Sequence, residues 1–168
     1  MIRRFALASA LFVAVGSAAP SMAVADFNNS NLQISASVPN SCTISTTALN
    51  FGPYNSGTVT SVTGTVSTNC TMNAVAVITL GQGFYSATGS SLEEPLRRLQ
   101  NGASANYLNY NLYQNSGKTT IWGNSTSTGV TVTGTGTEES TSVYGEIPAG
   151  QSVPAGSYTD NVIATVTY

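Results

Sequence analysis

Two runs of strict alternation frame the chain. Near its start, Leu32, Ile34, Ala36 and Val38 alternate with Gln33, Ser35 and Ser37, the period-two pattern of a strand with one buried face. Near its end, Tyr158, Val162, Ala164, Val166 and Tyr168 share one face of a strand read over residues 157–168, and Asp160 opens that face. Between them, residues 43–51, 59–69, 74–80, 97–100, 106–114, 119–122, 129–136 and 141–147 read as strands, broken by turn clusters such as 52–57 and 148–151. Within 106–114, Leu108, Tyr110 and Leu112 point one way and Asn109, Asn111 and Tyr113 the other. Residues 74–80 form a Val/Ile run that predicts burial on both faces, and residues 81–95 are irregular. No helical period of useful length and no solenoid repeat occurs. Short strands at this spacing predict an all-β sandwich.

The first 25 residues do not enter that fold. Arg3 and Arg4 precede an apolar stretch over residues 5–19, and Ala23-Val24-Ala25 is a small-x-small cleavage site. This is the layout of a secretory signal peptide cut before Asp26, and its apolar core is short for a membrane span. The remaining 143 residues suit one domain, 41–168, preceded by an N-terminal strand and linker over 26–40. They carry Arg97, Arg98 and Lys118 against seven acids, a formal net charge of −4. So sparse and slightly acidic a charge gives no footprint for nucleic acid. Cys42 and Cys70 are the two cysteines of an exported chain, so a disulfide is the default. It closes a loop of about 29 residues, worth roughly 3–4 kcal/mol through chain entropy.

Candidate chemistry is thin. Histidine is absent, which removes the commonest general base. Glu93-Glu94 and Glu138-Glu139 are adjacent pairs, and neighbours on a strand point to opposite faces, so neither converges on a substrate. Asp160 reads as a carboxylate that fixes a turn through backbone N–H groups, with a ligand or hydrogen-bond hub as its functional alternative. Trp122, Tyr107, Tyr110 and Tyr113 read as sheet core rather than as a sugar platform. Asn28, Asn69 and Asn124 each open a weak glycosylation sequon. The expectation is a protein with no catalytic, metal-binding or cofactor-binding residues.

Several segments together carry a resemblance. They are Asn50-Phe51-Gly52 after the first cysteine, Tyr110-Asn111-Leu112-Tyr113 followed by Trp122-Gly123, and Tyr144-Gly145 followed by residues 147–151. With them goes Pro154-Ala155-Gly156-Ser157-Tyr158-Thr159-Asp160, which runs into the terminal strand. The chain resembles the spore coat protein U domain family, which includes subunits of archaic, Csu-type chaperone–usher pili. The resemblance implies an incomplete immunoglobulin-like sandwich that lacks its last strand. A periplasmic chaperone fills the gap in transit, and an outer-membrane usher exchanges it for the N-terminal strand of the next, identical or related, subunit at the cell surface. It further implies a donor strand at Leu32, Ile34, Ala36 and Val38, an acceptor groove lined by Tyr158, Val162, Ala164, Val166 and Tyr168, and a Cys42–Cys70 bridge. The expected role is a structural subunit serving adhesion and biofilm formation, with no stable membrane insertion after signal cleavage. A self-complemented secreted or coat protein is the alternative, with a minor adaptor or tip adhesin and a periplasmic hydrolase behind it.

Overall fold

The computed structural model describes residues 24–168, so the signal segment lies almost wholly outside the described residues. Contacts divide the chain into two units that meet between Ala36 and Ser37. In the first unit, residues 24–36 form no helix or strand and are exposed.

The second unit is built of nine strands: β1 (Cys42–Thr46), β2 (Thr60–Cys70), β3 (Val75–Leu80), β4 (Arg97–Asn101), β5 (Tyr107–Tyr113), β6 (Val130–Thr133), β7 (Glu138–Ile147), β8 (Tyr158–Thr159) and β9 (Ala164–Thr167). One sheet has the order β1-β2-β7-β5-β4-β8 and the other β6-β3-β9, and every pairing is antiparallel. The central pair, β2 and β7, runs in register from Thr60 opposite Ile147 to Asn69 opposite Glu138. Cys42 stands opposite Cys70 at the first β1–β2 pair, and the two form a disulfide.

The core lies between the sheets. Val66, Leu108, Leu112, Val143 and Ile147 of the large sheet meet Ile78 and Leu80 of the small one. Trp122 joins the layers. Its backbone N–H donates to the Leu112 carbonyl at 2.9 Å, and its indole Nε1–H donates to the Ile78 carbonyl at 2.9 Å. Alternation predicted this face of β5 correctly, since Leu108, Tyr110 and Leu112 are buried while Asn109 is exposed.

Three elements differ from the sequence expectation. The strand read over 43–51 ends at Thr46. Beyond it, Leu49 and Phe51 drop onto the large sheet, where Gly64 and Gly145 leave room for them. A Cβ added at Gly64 would stand 2.7 Å from Leu49 Cδ1, and one at Gly145 would stand 2.9 Å from Phe51 Cζ. The strand read over 157–168 is two strands, because β8 pairs with β4 in the large sheet and β9 with β3 in the small one. The 119–122 strand is reduced to one bridge between Tyr113 and Ile121. In smaller respects too, β7 begins at Glu138, ahead of the strand read over 141–147, and Val75 of the Val/Ile run is 59% exposed.

Candidate functional site

The sandwich has a gap. β1 closes one end of the large sheet and β9 one end of the small sheet, so each keeps an unpaired edge. Between them lies a groove with a compartment of about 430 Å³, walled by Thr46–Leu49 on one side and Asp160, Val162 and Ala164 on the other. Its floor is the core itself: Val66, Leu80, Leu99, Tyr110, Leu112 and Val143. A second compartment of about 750 Å³ continues between residues 49–54 and Gly156–Asp160, sharing Leu49, Leu99 and Asp160 with the first. An unpaired strand edge beside an open groove is the arrangement that invites another strand.

The alternation at the chain's end survives the switch of sheets. Tyr158, Asp160, Val162, Ala164 and Val166 are half-buried, and Thr159, Asn161, Ile163, Thr165 and Thr167 are exposed. Tyr168 lies beyond β9 and is 55% exposed. Asp160 holds the switch in place. One carboxylate oxygen accepts from the Tyr110 hydroxyl at 2.7 Å, and the other accepts from the backbone N–H groups of Phe84 at 2.9 Å and Asn161 at 2.8 Å. Burial, and then the neighbouring carboxylate, push the Tyr110 hydroxyl well above the ordinary tyrosine range.

Arg97 is the residue that pattern reading missed. It is 1% exposed. Its Nε donates to the Gly81 carbonyl at 2.8 Å, and its Nη2 donates to the carbonyls of Leu80 and Trp122 at 2.7 Å each. Burial lowers its pKa to about 10, against the opposing pull of Tyr110 and Asp160. Nothing local signals this role, because the carbonyls it satisfies come from two distant segments.

Of the predicted donor positions, Leu32, Ile34 and Val38 are 84%, 87% and 82% exposed, and Ala36 is exposed as well. None belongs to a strand. The predicted acidic pairs are likewise exposed, Glu93 and Glu94 in the 81–95 loop and Glu138 and Glu139 at the start of β7. Trp122 and Tyr110 are buried, while Tyr107 takes the Arg98 guanidinium over its ring at 4.0 Å.

The second unit is thus an all-β sandwich of two antiparallel sheets with an open groove. The sequence profile of the Spore Coat Protein U domain matches residues 28–165, and the chain belongs to that family. It is 44% identical over 149 residues to Protein U of Myxococcus xanthus, across 82% of this chain and 83% of that protein. Its fold is similar to that of a chain in the crystal structure of the CsuC–CsuE chaperone–tip adhesion subunit pre-assembly complex, from the archaic chaperone–usher Csu pili of Acinetobacter baumannii. The TM-score is 0.58 at 20% identity, covering 78% of this chain and 40% of that one. The protein therefore spans well under half the length of that structural relative. The family is that of a coat protein domain, not a family of enzymes.

Proposed function

We propose that this protein is a structural subunit of a chaperone–usher type surface pilus, polymerised by donation of residues 31–38 of one copy into the groove of the next. The observation that carries the reading is the groove, because it reaches down to core residues beside two unpaired strand edges. The segment offered to it has the matching form, with Leu32, Ile34, Ala36 and Val38 on one face and no charged residue. Insertion would bury Leu32, Ile34 and Val38 at roughly 1.5–3 kcal/mol each before ordering losses, and would pair the free edges. Register decides the outcome, since a one-residue slip turns Gln33, Ser35 and Ser37 into the core. A periplasmic chaperone would hold the groove in transit and an outer-membrane usher would catalyse the exchange. Attachment and biofilm formation are the roles such a fibre would serve.

Deleting residues 26–38 tests this. The expected product is a chaperone-bound monomer that caps fibre growth, and normal fibres from that variant would overturn the reading. The description of the family as a coat protein domain favours a second reading, a coat subunit whose own N-terminal strand fills its groove. A mature chain that is a stable monomer without chaperone, with residues 32–38 protected from hydrogen exchange, would support it.

A further inference from the structure

We propose that the domain carries a separate site for a neutral sugar, in a cleft between the 81–84 loop and the outward face of residues 161–165. The cleft holds about 320 Å³ and is lined by Gln82, Phe84, Asn124, Asn161, Ile163 and Thr165 over a glycine floor. Phe84 is 64% exposed and Ile163 62%. Around these two apolar groups stand three carboxamides, Gln82, Asn124 and Asn161, whose side chains make no hydrogen bond among the described residues. Each offers one acceptor and two donor hydrogens to whatever enters.

The cleft is preformed. The Gly81 N–H donates to the Ile163 carbonyl at 2.8 Å, Arg97 donates to the Gly81 carbonyl, and Asp160 accepts from the Phe84 N–H. The Asn124 N–H donates to the Leu92 carbonyl at 2.6 Å. A rigid cleft spares a ligand the entropy of ordering loops.

Chemistry selects the ligand. No charged side chain lines the cleft. Neither Arg97 nor Arg98 lines the cleft: Arg97 is 1% exposed and spends Nε and Nη2 on three carbonyls, with its Nη1 buried away from the cleft lining, and Arg98 donates to the Tyr85 and Ser86 carbonyls, so an anion finds no cationic partner there. A cation finds no free carboxylate, because both Asp160 oxygens already accept hydrogen bonds. A purely apolar ligand would strip water from the three carboxamides without replacing it. What remains is a neutral molecule with a flat C–H face and ringed hydroxyls, a hexopyranose. Its C–H face would lie on Phe84 and its hydroxyls on the carboxamides.

Ile163 and Thr165 occupy the face opposite Val162 and Ala164, so a strand filling the groove leaves Phe84, Gln82, Asn124, Ile163 and Thr165 free, and Asn161 is the residue that lines both groove and cleft. A weak single site repeated on a multivalent assembly gains avidity without any new contact.

Saturation-transfer NMR on the full exported chain with D-glucose, D-galactose and D-mannose is the test. At least one hexose should receive saturation on its ring protons, with millimolar affinity. Phe84→Ala should weaken that binding about tenfold or more, as a lost stacking contact of roughly 1.4 kcal/mol would. Val59→Ala, which alters an exposed apolar residue outside the cleft, should change it less than about twofold. Gln82→Ala gives an independent reading should Phe84→Ala fail to fold, and it too should weaken binding. No transfer to any of the three hexoses, or binding that survives both cleft substitutions, overturns the proposal.

Discussion

Arg97 ties three residues of two distant segments together, and it does so through backbone carbonyls instead of an ion pair. Leu80, Gly81 and Trp122 each turn a carbonyl toward it, in a site closed to water. Arg97→Met should leave those acceptors buried and unpaired, for a loss on the order of 3 kcal/mol or more. A thermal melt should fall by about 10 °C in a domain of this size. Arg97→Lys should rescue little, because an ammonium cannot reproduce the guanidinium fork. Tyr110 sets a pH dependence. Its hydroxyl titrates above the ordinary value of 10.0 in the folded chain. The stability it confers is therefore fully present below pH 10 and is lost as pH rises, because the unfolded chain ionises first. Arg97, lowered to about 10, acts in the opposite sense over the same range. The comparison of wild type with Tyr110→Phe isolates the tyrosine: the variant should be less stable at neutral pH, and its stability should fall less steeply above pH 10 in urea titrations.

At the scale of elements, alternation predicts what it can reach. β2 and β5 read clearly because each has one face in the core and one outside. The end of β1 was not legible, since Leu49 and Phe51 continue the apolar pattern while their backbone leaves the ladder to fill space over Gly64 and Gly145. The division of the last strand was hidden for a related reason. Its side chains keep alternating while the Asp160 carboxylate, bound to Tyr110 and Phe84, holds the chain where it changes sheets. Arg97 was illegible because long-range partners, not neighbours, justify its burial. The Cys42–Cys70 bridge was legible from export and from the presence of two cysteines, and it fastens the edge strand β1 to β2. Replacing both cysteines by serine should lower unfolding stability by roughly 3–4 kcal/mol. The same change should fray β1 first, as hydrogen exchange would show by early loss of protection at residues 42–46.

At the scale of the whole molecule, the proposal pairs the groove of one copy with the exposed apolar segment of another. The groove was only partly legible in the sequence. The wall residues Asp160, Val162 and Ala164 lie on the face that alternation groups together, Val166 and Tyr168 of that face do not line the groove, and Thr46–Leu49 and the core floor become visible only when the sheets are packed. A charge placed at the centre of the donor face should block assembly without unfolding the domain, because Ile34 is exposed in the free chain and an unpaired charge is costly to bury. Ile34→Asp should therefore leave the melting of the chaperone-bound subunit unchanged while abolishing fibres in electron micrographs.

The most direct test places a photo-crosslinker at position 34 and mixes isotopically light and heavy copies before assembly. Mass mapping of the crosslinked peptides then shows which copy and which residues the donor segment touches. Light–heavy pairs joining position 34 to residues 46–49 or 160–164 of another copy are expected. Crosslinks confined to one copy, or crosslinks between copies that miss both walls of the groove, would contradict strand donation.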